Sequence, residues 1–256
     1  MRRRILAVNI NDFGGKTGHL MNHRYFNNRD WKYHIDWKYW AKQLDKTEIW
    51  VEWKRYVERK NPDILIFEEM LVSCYENIDF IGELEEMGYS YIKESLPERG
   101  NYSLTMTFYK GKTPKYINSP GNYRSNRSVI CEDEDMFICA SHFPYESDKE
   151  FLRHMKTFIN KKLNEDLLLI GDLNANDPTR GNKKMVNNLI EDGAIDLWIA
   201  AGNDENTPTE AKFGGRLDYA IASPSLAKKV EKIEIDSFPM DANLTDHAAI
   251  IVDITS

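Results

Sequence analysis

The 256-residue chain has no apolar run approaching the roughly 20 residues that span a bilayer, and its mean hydropathy is −0.59. That speaks against a membrane span. Met-Arg-Arg-Arg leads straight into a strand-like stretch, with no apolar h-region or small-residue cleavage site, so no signal peptide is read and a cytoplasmic protein is expected. Cysteine is scarce. Cys74, Cys131 and Cys139 form an odd set without metal-ligand spacing and read as reduced structural residues. A basic excess is also missing: the formal charge of −7 argues against a simple nucleic-acid coat protein. It does not exclude a nuclease, because metal neutralises acidic side chains and cations can gather on one face. Residues 13–60 hold eleven Lys/Arg against six Asp/Glu, which leaves the rest of the chain acidic.

Strands and helices alternate without a linker, internal repeat or low-complexity tract. Apolar patterning predicts strands over 4–10, 63–68, 102–109, 115–118, 127–131, 136–142, 167–171, 216–222, 232–237 and 248–254. Helices are expected over 36–60, stopping before Asn61-Pro62, over 75–87 ending at Gly88, and over 183–192 ending at Gly193. Ser147 is expected to cap a further helix running to about Leu163, and the acidic run 132–135 to form a turn between two strands. Two helix-covered halves with mixed strands point to two packed sheets in one domain rather than a doubly wound parallel sheet.

Chemistry gathers where the apolar runs stop. Residues 5–11 (ILAVNIN), 64–69 (ILIFEE), 167–174 (LLLIGDLN) and 244–250 (LTDHAAI) each deliver acidic, amide or imidazole groups at a strand end. Strands ending together can pool such groups into one oxygen-rich cluster beside an imidazole, the chemistry of Mg²⁺-assisted attack on phosphate. In the segment 167–174, Gly171 lets the chain turn, and Asp172 and Asn174, two apart in extended chain, point the same way. Asp172 can orient or deprotonate water, while Asn174 can hold water or a phosphate oxygen without adding charge. Glu68 and Glu69 are strand neighbours facing opposite sides, so one of them is expected in the site. Asn9 inside a strand is unfavourable unless used, and Asn11 shares its face. Asp246 can reach a metal while His247 stabilises phosphate or moves a proton. Asp218, buried in RLDYAIA, needs a partner such as histidine, and His142 supplies a second strand-end imidazole. Each segment alone also reads as an ordinary Asp/Asn turn, solvated rim or structural histidine.

Taken together and in this order, these motifs resemble the endonuclease/exonuclease/phosphatase superfamily of Mg²⁺-dependent phosphoesterases. The resemblance runs from Asn9 to His247, with G-D-x-N and the late D-H as its most specific parts. It implies a four-layer α/β/β/α sandwich of two mixed β-sheets flanked by helices, an α+β fold. It further implies a metal, Mg²⁺ with Mn²⁺ as substitute, on Glu69 and Asp246. Asn11 stands where some members place a metal-binding Asp, and Glu68 takes the place of a Gln. Asn9 and Arg127 are implied at the phosphate, and His142, Asp172, Asn174, Asp218 and His247 in catalysis. Asp172 and His247 both remain open as the proton acceptor. Gly214-Gly215 replaces an aromatic that some abasic-site nucleases carry, and Leu104 stands where the deoxyribonuclease branch has Glu. The implied partner is nucleic acid, with a small phosphoester or lipid headgroup as the alternative substrate.

The stretch 13–60 looks like an aromatic-rich helical insertion. Trp37, Trp40, Leu44 and then Trp50, Trp53, Val57 fall at helical spacing and read as a core-facing stripe. Interleaved lysines and arginines leave open a contact with bases and phosphates.

Overall fold

The computed structural model describes residues 2–13, 46–71, 80–96, 103–117, 127–134, 136–211 and 214–255. Its elements are β1 (Arg2–Asn9), α1 (Lys46–Lys60), β2 (Ile64–Leu71), α2 (Phe80–Glu86), β3 (Tyr89–Tyr91), β4 (Ser103–Lys110), β5 (Lys115–Ile117), β6 (Ser128–Asp133), β7 (Met136–Ser141), α3 (Lys149–Lys162), β8 (Asp166–Asp172), α4 (Gly181–Glu191), β9 (Ile195–Asp196), β10 (Asp218–Ala222), β11 (Val230–Asp236) and β12 (Ala249–Thr255), with short helical turns between some of them.

Alternation along the strands builds the layers. In β1, Leu6 and Val8 face α1 and α2, packing with Trp50, Trp53, Tyr56, Val57 and Leu84. Ile5 and Ala7 face the other way, into a layer shared with Ile138, Leu168, Ile170 and Ala220 of the second sheet. In β8 the roles repeat: Leu167 and Leu169 pack under Phe151, Met155 and Ile159 of α3 and Met185 and Leu189 of α4. Helices, sheet, sheet and helices therefore stack as four layers, as the family resemblance implies. Burying each such aliphatic side chain contributes about 1.5–3 kcal/mol, so the period-two pattern fixes which face goes where.

The sheets have strand orders β11-β12-β1-β2-β4-β3 and β5-β6-β7-β8-β10-β9. Both are mixed: β1 pairs parallel with β2 and antiparallel with β12, and β7 pairs parallel with β8, which is antiparallel to β10. The parallel pairs put the ends of β1 and β2, and of β7 and β8, at one edge of the sandwich, where the polar side chains collect.

Several expectations change in detail. The N-cap of α3 is Asp148, whose carboxylate accepts from the N–H groups of Glu150 and Phe151. Ser147 instead serves α4: its Oγ accepts from Gly181 N at 2.9 Å and Asn182 N at 3.3 Å. Arg180, the residue before that helix, has no side-chain cap of its own, and Ser147 supplies one from 34 residues away. Glu132 and Asp133 belong to β6 rather than the turn, and Arg3 bonds Asp133. Trp50, Trp53 and Val57 are buried, which makes that half of the aromatic stripe core. Trp37, Trp40 and Leu44 lie outside the described residues, as do the first residues of the expected 36–60 and 75–87 helices and Cys74.

Candidate active site

At the shared edge a cavity of about 380 Å³ is lined by Glu69, Arg127, His142, Asp172, Asn174, Asp246 and His247, with Tyr145, Asn176, Asp177, Arg180, Glu210 and Leu217 around them. Seven of the ten residues expected in a site are in this wall. Asn9 and Asp218 are buried, each hydrogen-bonded to a lining residue. Asn11 is not part of the wall. It occupies a left-handed backbone conformation, φ 46°, with its N–H bonded to Asn9 Oδ1 at 2.9 Å.

Of the two glutamates of β2, Glu69 lines the cavity, whereas Glu68 is buried behind it against the backbone of Asp172. The pairing of β2 with β4 slips between Phe67 and Met70, and Glu69 turns left-handed at φ 52°. That irregularity redirects Glu69 toward His142, 3.5 Å from Oε1 to Nε2. Glu68 keeps the strand geometry and crosses between the sheets. Its Oε2 accepts from Asp172 N at 2.8 Å, while its Oε1 has no hydrogen-bond partner among the described residues. Burial, then the charges of Asp172 and Asp218, raises the Glu68 carboxyl well above its ordinary range. Gly171 makes this crossing possible. A Cβ there would lie 1.8 Å from Glu68 Oε1 and 2.5 Å from the Ser141 carbonyl oxygen, and its φ of +136° suits glycine. The glycine answers a close approach between sheets more than a turn.

Asp172 and Asn174 do not stay extended. Asn174 is left-handed at φ 48°, and its N–H closes a small loop onto Asp172 Oδ1 at 2.9 Å. Both side chains still line the cavity, because Asn174 Nδ2 is anchored on the Phe143 carbonyl at 2.9 Å. One amide N–H and Oδ1 remain for a ligand. The other oxygen of Asp172 accepts from Asn9 Nδ2 at 3.1 Å. Burial pushes the Asp172 carboxyl up to about 7, with the His247 charge working against that rise.

Two imidazoles flank the same Asp172 oxygen, Oδ2, at 3.6 Å for His142 Nε2 and 3.9 Å for His247 Nε2. Burial, the Arg127 charge and then the His247 charge lower His142 well below the usual histidine value. Arg127 Nη1 lies against the ring, 2.7 Å from Nδ1 and 3.2 Å from Nε2, while Nε2 faces the carboxylates of Glu69 and Asp172. Burial also disfavours the His247 cation, yet the charge and hydrogen bond of Asp218, then Asp172 and Asp246, raise it well above 6.5. Its Nδ1 meets Asp218 Oδ2 at 3.0 Å.

The loop that carries Asp246 and His247 is tied down from both sides. Thr245 Oγ1 donates to the Asn9 carbonyl at 2.7 Å, and Ala211 N donates to the Asp246 carbonyl at 2.9 Å. Thr209 Oγ1 accepts from the N–H groups of Leu217 and Asp218, which sets the entry into β10. Glu69 and Asp246 are both raised first by burial; Asp246 adds to the rise at Glu69, as Glu210 does at Asp246. This crowd of oxygen donors suits a hard divalent cation, which would relieve their mutual repulsion. Among the described residues, no group of three or more His, Cys, Asp or Glu side chains is placed to hold a metal ion.

Sequence reasoning missed Glu68 as the inter-sheet anchor, Glu210, Thr209, Thr245 and the rim residues Tyr145, Asn176, Asp177 and Arg180. Thr245 sits directly before the D-H pair, and Tyr145 three residues after His142, so proximity to a motif was the available signal. Glu210, eight residues before Asp218, carried none.

A two-sheet sandwich whose edge joins opposed carboxylates, an amide and two imidazoles of opposite charge preference defines a phosphoester-hydrolysing class. The chain belongs to the Endonuclease/Exonuclease/phosphatase family, whose match covers residues 52–247. It is a hydrolase acting on phosphoester bonds. A 3′ phosphatase from Neisseria, solved with a product DNA hairpin, is similar at 13% identity and a TM-score of 0.69, over 99% of this chain and 100% of that one. An AP endonuclease from Archaeoglobus fulgidus is similar at 14% identity and a TM-score of 0.69, again over 99% and 100%. An AP endonuclease from Leishmania major shows 14% identity and a TM-score of 0.63, over 100% of this chain and 88% of that one. At these identities the likeness establishes the fold. No curated protein sequence matches the chain.

Proposed function

We propose that this protein is a divalent-metal-dependent nuclease that cleaves a phosphodiester by in-line attack of water. The observation that carries the reading is the single cavity in which Glu69, Asp246, Asp172, Asn174, His142 and His247 meet beside Arg127. Glu69 and Asp246 would hold Mg²⁺, with Mn²⁺ as a substitute; the cation supplies charge for the phosphate oxygens. Mg²⁺ is commonly held by one or two carboxylates, the remaining positions going to water and phosphate, which fits this donor set.

The chain's own groups divide the rest of the work. Asp172, with Oδ1 on Asn174 N and Oδ2 on Asn9, is held in one orientation and takes the proton of the attacking water. A carboxyl raised to about 7 is a competent base near neutral pH. Asn174 orients that water through Oδ1. The neutral His142 donates a hydrogen bond and the cationic His247 supplies charge as the phosphorane develops, each aimed by its partner, Arg127 or Asp218. Asn11, outside the wall, enters as a turn residue that fixes Asn9.

A lipid headgroup as substrate is the weaker reading. The rim residues Tyr145, Asn176, Asp177 and Arg180 are polar or amphipathic, and among the described residues Leu217 is the one aliphatic member of the wall, so little of the described wall would receive acyl chains. The similar Neisseria 3′ phosphatase, described with product DNA, and the AP endonucleases support a nucleic-acid substrate. The test is calorimetric titration of Mg²⁺ into wild type and Glu69→Ala, beside cleavage of single-stranded and duplex oligonucleotides. Affinity should drop by roughly 10-fold or more with the carboxylate gone. Unchanged affinity would remove Glu69 as a ligand, and no cleavage of any oligonucleotide would remove the nuclease reading.

A further inference from the structure

Tyr145 is 53% exposed, more than any other large apolar or aromatic side chain among the described residues, yet it is not loose. Arg180 lies over its ring, with Cζ 4.2 Å from the centroid, and donates from one Nη to the Tyr145 hydroxyl at 2.8 Å. The other Nη reaches the Tyr145 carbonyl at 3.4 Å. Asp177 holds Arg180 in turn through Nε at 3.4 Å, and is itself fixed by the N–H and Oγ of Thr179. Pro144 stiffens the backbone before Tyr145, and Pro144 O accepts from Asn182 Nδ2 at 3.0 Å. An exposed tyrosine of this kind has no packing reason to be pinned by a guanidinium, a backbone contact and a proline. Both Tyr145 and Arg180 stand in the wall that contains Asp172, Asn174 and His247.

We propose that the Tyr145 ring, braced by Arg180, is a stacking platform for an unpaired base of the nucleotide next to the scissile phosphate, so that the preferred substrate is single-stranded or frayed nucleic acid. The proposal rests on the nuclease reading of the adjoining cavity. A base has a flat π-face whatever its identity, so a pinned aromatic ring beside a phosphate site selects nucleotides over inositol phosphates or lipid headgroups without selecting sequence. A base inside a duplex is already stacked on both sides, which is why the platform favours unpaired strands. Arg180 also brings a cation to the rim, where the next phosphate along the strand would pass.

The test uses the full chain carrying Asp172→Ala, to stop turnover, with Tyr145 intact, as Tyr145→Phe, or as Tyr145→Ala. Fluorescence anisotropy measures binding of an eight-nucleotide oligothymidylate and of an eight-unit abasic strand with the same number of phosphates. The proteins with Tyr or Phe should prefer the base-bearing strand by roughly 5- to 100-fold, and Tyr145→Ala should lose most of that preference while melting at the same temperature. A preference that survives in Tyr145→Ala, no preference in the parent, or no binding of oligothymidylate overturns the platform. Cleavage by the chain with Asp172 intact reports separately on the nuclease reading. Binding through Tyr145 without cleavage would sink that reading alone, and cleavage with Tyr145-independent binding would sink the platform alone.

Discussion

His142 and His247 are equally buried and approach the same oxygen of Asp172, yet the fold prepares them for opposite charge states. Burial disfavours the cation in both. Arg127 against His142 reinforces that effect, whereas Asp218 against His247 overrides it. Protonation inside this site is therefore set by burial together with the charges beside each ring, Arg127 for His142 and Asp218, then Asp172 and Asp246, for His247, and the pair gives the cavity a neutral imidazole on one side and a cation on the other. A transition state gaining negative charge is served by both, but more by the charged one.

Replacing His247 by Gln breaks the comparison most severely. It removes the cation and leaves Asp218 buried without its partner, so kcat/KM for an oligonucleotide should fall by about 10²–10³-fold, the range for losing one transition-state donor. Parity with wild type in steady-state cleavage would take His247 out of the chemistry. Asp218→Asn keeps the imidazole but removes the largest of the interactions that favour its charge, with an expected loss of roughly 10- to 100-fold. The same change has a pH signature. Because His247 is raised in the fold, the stability and activity that depend on its charge are fully present below the ordinary value near 6.5 and fade as pH rises through the raised one. In Asp218→Asn that alkaline limb should move down in pH; a limb that stays in place would assign it to another group. Imidazole NMR of the metal-free protein should show the same contrast, with His247 titrating above 6.5 and His142 remaining neutral throughout. The mildest break is His142→Gln, which retains a neutral N–H. Its expected cost is about 2- to 12-fold, the scale of a single neutral hydrogen bond, read from the same cleavage assay; a loss as large as that of His247→Gln would mean both rings act as cations.

The difference between the two histidines was only half legible in the sequence. Asp218 alternates into an apolar strand, and a buried carboxylate demands a partner, so a histidine could be read from pattern and physics, while the family resemblance implied that it is the catalytic imidazole. The Arg127–His142 contact could not, because residue 127 closes on residue 142 only through the antiparallel register of β6 and β7. The same division holds across the molecule. Two helix-covered halves with mixed strands announced two packed sheets, the family resemblance implied their four-layer order, and the polar residues at strand ends announced the cluster. What stayed hidden depends on contacts between distant segments or on local irregularity. The slip at Glu69 breaks the alternation that made β2 readable, Ser147 caps a helix it does not precede, and Glu68 is explained only by the missing Cβ of Gly171 on the opposite sheet. Tyr145 and Arg180 gave no periodic signal, since rim residues are chosen by what they face rather than by the core.

Cleavage of a single-stranded oligonucleotide by wild type and by Asp172→Ala, each with Mg²⁺ and with EDTA, tests the account most directly. Asp172 is the group on which Asn9, Glu68, Asn174 and both histidines converge. The account predicts Mg²⁺-dependent cleavage by wild type, abolished by EDTA and reduced by about 10²–10⁴-fold in a folded Asp172→Ala. Cleavage that persists at the wild-type rate in the variant would contradict it.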